Sequence, residues 1–178
     1  MSIIEAVQQQ IPTGTWKLDP VHSHVEFAVK HLGIATVRGR FADFDATLEG
    51  GDDARLTGII RTESIETHNA DRDTHLRSPE FFDSERYPEA RIDATRIEDG
   101  RVVAAVTIKG STREVEFQAE TAGPVEDPFG NVRFGLDLEG EIDRTDFGLD
   151  WNAPLPGGGF LVDDNVKLTA GLSFIKEA

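Results

Sequence analysis

The 178-residue chain carries 18 lysines and arginines against 33 aspartates and glutamates, a formal charge of −15 at pH 7. Such a surface repels phosphate backbones and anionic headgroups, which excludes nucleic acid and acidic membranes as partners, and the absence of cysteine excludes disulfides, thiolate metal sites and thiol nucleophiles. The length suits one domain with a substantial core, no stretch reaches the length of a membrane span, and MSIIEAVQQQIPTG lacks the basic and apolar regions of a secretory signal, so a cytoplasmic location is expected.

Residues 1–13 read as a mobile or short helical lead-in ending at Pro12, and residues 14–178 as one β-rich domain. After a short strand at 15–19 the period is two. In VEFAVKH, Val25, Phe27, Val29 and His31 share one face, opposite Glu26, Ala28 and Lys30. The segment 35–49 keeps β character, but its apolar set changes parity between Phe41 and Phe44, which predicts a bulge or sharp bend near Ala42–Asp43. A strand at 54–65 follows.

The alternation stops at RDTHLRSPEFF, residues 72–82. Asn69 can cap a short helix, ADRDTHLR, with Asp71 in its first turn and Asp73 four residues before Arg77. Ser78 can cap a second short helix that starts at Pro79, carries Phe81 and Phe82, and stops before Pro88. Strands then resume at 90–97 and 101–109, in REVEFQAE with Val115, Phe117 and Ala119 inward, and in NVRFGLDLEGEID with Val132, Phe134, Leu136, Leu138 and Ile142 inward. A further strand is expected at 145–151, where FGLD repeats the tetrapeptide of 134–137 in a neighbouring strand. The GGG at 157–159 reads as a flexible loop, and Leu155, Phe160 and Leu161 would let it close over an apolar opening. The last strand, VKLTAGLSF, turns Val166, Leu168, Ala170, Leu172 and Phe174 to one side.

Eight or nine strands with one apolar face each fit both a two-layer sandwich and a closed barrel. Long strands and a bent second segment favour closure. Two constellations could carry chemistry. His22, His24, His68 and His75 offer a metal or haem site, although the helical i, i+4 spacing usual for zinc is missing and bonding to loop backbone is the ordinary use of such histidines. Asp71, Arg72, Asp73 and His75 offer an acid–base pair, Asp73 with His75, for an enzyme acting on an isoprenoid-like substrate. Mixed charges on a helix are more often a solvated, salt-bridged face. There is no phosphate loop and no nucleophile elbow.

Two stretches resemble a known family. WKLDPVHSHVEFAVKHLGIATVRGRF, with Trp16, Asp19, His22-Ser23, Phe27, His31, Val37, Gly39 and Phe41, is similar to the N-terminal signature of the YceI-like, polyisoprenoid-binding proteins. GIIRTESIETHNADRDTHLRSPEFFDSERYP resembles their second signature through Ser64-Ile65, Thr67, Arg72-Asp73, His75-Leu76, Phe81-Phe82-Asp83 and Tyr87-Pro88, and IKGSTREV and RTDFG also fit. The resemblance implies an all-β, lipocalin-like extended antiparallel barrel of about eight strands, enclosing a long apolar pocket for an isoprenoid or other long-chain lipid. It implies no established enzymatic activity and frequently a homodimer; no cofactor or metal is expected. Many relatives carry a secretion signal, and none is expected here.

The reading that follows is a carrier or sequestering protein for a polyisoprenoid, quinone precursor or fatty-acid derivative. The segment 69–86 covers one barrel end with Phe81 and Phe82 facing in. The tunnel would be lined by Val25, Phe27, Phe41, Ile60, Ile92, Val106, Phe117, Phe134, Leu136, Leu138, Leu168, Ala170 and Leu172. Arg72 and His75 are the candidates for a polar head group at the mouth.

Overall fold

A computed structural model describes residues 11–178, so most of the expected lead-in lies outside the described residues. The strands are β1 (Gly14–Leu18), β2 (His24–His31), β3 (Ala35–Phe41), β4 (Phe44–Gly50), β5 (Arg55–Arg61), β6 (Ile65–Glu66), β7 (Glu89–Glu98), β8 (Arg101–Ile108), β9 (Ser111–Glu126), β10 (Val132–Asp143) and β11 (Val162–Lys176). Among the described residues one α-helix, α1 (Ala70–Arg77), interrupts them. Among the described residues no helix is long and apolar enough to cross a membrane.

All strands belong to one antiparallel sheet, and β1 pairs with both β4 and β11. That double pairing closes β1, β4, β5, β7, β8, β9, β10 and β11 into an eight-stranded barrel. The long strand β11 meets β1 at residues 174–176 and β2 at residues 162–171, so β1 and β2 act as one interrupted strand along it. The interruption is a single turn at Pro20–His22, where the Ser23 hydroxyl donates to Asp19 O (2.7 Å) and accepts from Ser173 N (2.9 Å). β3 and β4 are likewise two halves, split by the expected bend at Ala42–Asp43. The strand expected at 54–65 also divides, into β5, a 3-10 turn at Thr62–Ser64, and β6 on the free side of β3.

The end of the barrel that holds Gly14 and Lys176 is filled. Trp16, Phe134 and Phe174 project from β1, β10 and β11, and Leu48 (β4), Leu56 (β5), Ala94 (β7), and Val102 and Ala104 (β8) belong to the same buried cluster. Large rings from one wall meet aliphatic and small side chains from the other. Trp16 and Phe134 sit 5.7 Å apart at 48°, a tilted pair of the favoured kind. Each such ring contributes about 1.5–3 kcal/mol on burial.

Outside this end, Arg133 ties two turns together. Its Nε donates to Asp127 Oδ2 and its Nη1 to Asp19 Oδ2, both at 2.8 Å. Arg133 and the backbone N–H groups of Asn131 and Phe129 hold the Asp127 carboxyl at about 2, below its ordinary 3.8. The Asp19 carboxyl is lowered too, by Arg133 first and then His22. A depressed carboxylate stabilises the fold above its unfolded value and ceases to do so as pH falls through the folded value. The denaturation midpoint is therefore expected to decline between about pH 4 and pH 2, and Asp127→Asn should flatten that decline. Parallel acid titrations of the two proteins test it, and identical profiles would rule out the contribution.

Three expectations need correcting. Ser78 does not start a second helix; it ends α1, its hydroxyl donating to His75 O (2.6 Å). The N–H groups that a second helix would use turn back instead, Phe82 N to Leu76 O and Ser84 N to Arg77 O, and satisfy the open carbonyls of the last turn of α1. The strand expected at 145–151 is a 3-10 turn, Arg144–Phe147, ending at left-handed Gly148 (φ 77°), so the second FGLD does not lie in a strand. Asp73 and Arg77 form no ion pair, because both bond the chain before the helix.

Candidate ligand-binding site

Helix α1 is short, and its placement depends on side-chain bonds more than on propensity. The Asn69 side chain caps it by accepting from Arg72 N (2.9 Å), with Asp71 and Asp73 in the first turn and His75 and Arg77 in the last, the order that complements the helix dipole. Asp73 is buried and accepts from Thr67 N (2.9 Å) and from the Thr67 hydroxyl. Arg72 donates to Thr67 Oγ1 (2.8 Å) and Thr67 O (2.6 Å), and Arg77 to Glu63 O (2.8 Å). On the other side Lys109 Nζ donates to Pro79 O at 2.7 Å. The segment is thus stitched across one end of the barrel.

Beneath it lies a cavity of about 470 Å³. Its wall is mostly aliphatic and aromatic, with Phe27, Phe41, Phe81, Phe82, Phe117 and Trp151 among the lining residues. The rings interlock at the helical end. Phe82 meets Phe41 edge-on at 5.7 Å, while His75 stands edge-on to both Phe81 (5.0 Å) and Trp151 (4.6 Å). Six charged residues also border the space: Glu26, Lys30, Asp71, Arg72, Arg91 and Arg144. All but Arg144 are exposed, so the cavity meets water where they stand.

Of the residues expected to line a tunnel, the cavity brings together Val25, Phe27, Phe41, Ile60, Phe81, Phe82, Ile92, Val106, Phe117, Leu138, Leu168 and Ala170. Arg72 and His75 border it as well. Phe134, Leu136 and Leu172 do not; they belong to the filled end, packed with Trp16 and Phe174. Several lining residues fell outside the expectation, including Leu76, Leu149, Trp151 and Val162. Leu149, Trp151 and Leu161 come from the irregular stretch before β11 and Val162 opens that strand; the apolar residues next to a glycine run were the available signal. In that loop Leu161 lines the cavity, whereas Phe160 points outward and is 64% exposed.

The same loop is held by Arg144, which is 5% exposed. Its guanidinium donates to the carbonyls of Leu149, Trp151 (2.9 Å), Val162 (3.3 Å) and Asp163 (2.9 Å). RTDFG therefore marks a clamp that shapes one wall of the cavity.

The histidines are scattered. His22 lies in the Pro20–His22 turn with its Nδ1 2.7 Å from Asp19 Oδ2, His24 packs over Gly171, and His68 precedes α1 with φ 61°. Among the described residues no group of three or more His, Asp or Glu side chains converges to hold a metal ion, and no histidine ring bonds loop backbone. Asp73 and His75 face different partners, Asp73 the Thr67 corner and His75 the Phe81–Trp151 rings with Glu80 at 3.4 Å, so they do not form an acid–base pair.

A family model for the YceI-like domain matches residues 16–174. The chain belongs to the YceI-like family. A UPF0312 protein of Staphylococcus epidermidis is 36% identical over 164 residues, covering 89% of this chain and 96% of that protein. A UPF0312 protein of Staphylococcus aureus is 34% identical over 161 residues, covering 88% and 94%. Among solved structures, BcnA of Burkholderia cenocepacia superposes with a TM-score of 0.70 at 18% identity, over 88% of this chain and 98% of that one. A polyisoprenoid-binding domain from Saccharophagus degradans, implicated in plant cell wall breakdown, gives 0.68 at 14% identity, over 91% and 98%. These two likenesses establish the YceI-like barrel.

Proposed function

We propose that this YceI-like chain binds and carries, or sequesters, an extended apolar molecule of isoprenoid or acyl type inside the barrel, and performs no chemistry on it. The observation that carries the reading is the apolar cavity under α1, of the size in which ligands are commonly enclosed. Burial of a hydrocarbon chain there supplies affinity at about 25 cal/mol per Å², less the costs of association. Arg72 and His75 at the rim suit a polar head group; Arg72 keeps Nη1 uncommitted among the described residues after bonding Thr67. The name of the Saccharophagus domain, a polyisoprenoid-binding fold mate, points to the same ligand class.

The test is mass spectrometry of an organic extract from protein purified without refolding. A retained long-chain apolar molecule is expected. An empty extract, together with no binding of prenyl or acyl probes at micromolar concentration, would overturn the reading.

A paired substitution separates cover from core. Phe81→Ala with Phe82→Ala should weaken probe affinity about tenfold or more, since both rings border the cavity and face it from the cover. Phe134→Ala, in the filled end, should leave affinity nearly intact and destabilise the fold by about 3–5 kcal/mol. Probe titration and denaturant midpoints on both proteins read the outcome; the reverse pattern would make Phe81 and Phe82 ordinary core.

A further inference from the structure

We infer, building on that reading, that the ligand space ends partway down the barrel, so that this chain takes a hydrocarbon of about fifteen to twenty carbons and cannot enclose a forty-carbon polyprenyl chain. The first observation is the floor. On β10 the cavity reaches Ile142 and Leu138, and on β11 it reaches Val166, Leu168 and Ala170. The next inward residues on those strands, Leu136 and Leu172, are 1% and 7% exposed and do not line it. They belong to the same buried cluster as Trp16, Phe134 and Phe174, at the barrel end that holds Gly14 and Lys176. Interiors packed in this way have no slack through which a chain could thread.

The second observation is the volume. An apolar protein cavity of about 150 Å³ takes up benzene, with its six carbons, and in proportion 470 Å³ accommodates about nineteen. That corresponds to three or four isoprene units, or one ordinary fatty-acyl chain. Leu136 and Leu172 are thus length-determining residues: they set where the chain must stop. A longer prenyl chain could insert one end only and would leave the remainder in water, gaining nothing from the added units.

The experiment is a length series on the delipidated full chain. Prenyl alcohols of ten, fifteen, twenty and forty carbons are delivered from the same cyclodextrin carrier, and binding is followed by tryptophan fluorescence, to which Trp151 in the wall contributes. Affinity is expected to rise about tenfold or more with each added isoprene unit up to twenty carbons, and to change by less than about threefold from twenty to forty. Tenfold tighter binding of the forty-carbon alcohol would overturn the length limit while leaving the carrier reading intact. Failure of all four alcohols to bind would overturn the carrier reading itself, and the limit with it. Leu172→Ala should move the plateau to longer chains; a folded Leu172→Ala protein with an unmoved plateau would remove Leu172 from the floor. Should that variant not fold, the series on the unaltered chain decides alone.

Discussion

Replacing Arg144 with methionine is expected to destabilise the barrel by about 3–5 kcal/mol, a large share of the 5–15 kcal/mol typical of a domain. The guanidinium is buried, and its ionic partner Asp164 is 3.5 Å away with a side chain that is 59% exposed. Most of its charge is therefore solvated by backbone, through the carbonyls of Leu149, Trp151, Val162 and Asp163. Each carbonyl left without a donor costs about 1–3 kcal/mol if it stays buried. The loop between Gly148 and β11 can lower that cost by opening to water, which is why the total stays below the sum. Opening has a second consequence, because Leu149, Trp151, Leu161 and Val162 form one wall of the cavity. Loss of stability should therefore come with loss of probe affinity and with protease cleavage between residues 148 and 162. Arg144→Lys should recover little, since an ammonium is a point donor and cannot span carbonyls that a planar fork reaches together. Denaturant midpoints and limited proteolysis measure both effects. A change below about 1 kcal/mol, with the loop still protected, would show that these bonds contribute nothing beyond their replacement by water.

Arg144 also illustrates what the sequence could not disclose. Period-two alternation located the strands well wherever one face is wet, as in β10 and β11, because there burial alone selects which residue type stands where. The same rule misread 145–151. Phe147, Leu149 and Trp151 recur at every second position and imitate a strand, yet Phe147 and Leu149 are buried by a one-turn helix and an extended loop pinned from a distance. The acceptors that pin it are backbone carbonyls, which every sequence has and none advertises. The missing second helix after Ser78 has a similar origin. Its capping residue and proline were local signals, and the requirement to satisfy the last carbonyls of α1 overrode them.

Within the site, alternation assigned faces but not depth. Leu138 and Leu136 point to the same side of β10, as do Ala170 and Leu172 on β11. Whether such a side chain meets empty space or a neighbour is decided by Trp16, Leu48, Leu56 and Val102, which arrive from strands distant in sequence. Rings on one wall and aliphatic side chains opposite fill the width at one end. The covering segment keeps its aromatic rings high above the floor at the other, and the cavity is what remains between.

Ala170→Phe is expected to abolish probe binding while leaving the stability of the ligand-free protein unchanged or raised. Ala170 sits opposite Leu138 on β10 and Val25 on β2, and all three border the cavity. A benzyl group added there enters space that a ligand would occupy, without displacing a packed neighbour. Removing apolar surface from a void contributes stability at about 25 cal/mol per Å², whereas forcing the same atoms into a filled region costs about 1–3 kcal/mol. Leu172→Phe supplies that contrast two residues further along the same face, where the side chain is 7% exposed and fully packed. It should lose stability and retain most of its affinity, the inverse of Ala170→Phe. Probe dissociation constants and denaturation midpoints of the two delipidated proteins give the comparison. A destabilised Ala170→Phe protein that still binds its probe would mean that the ligand's path does not pass Ala170, and that the apolar space beside it serves no ligand.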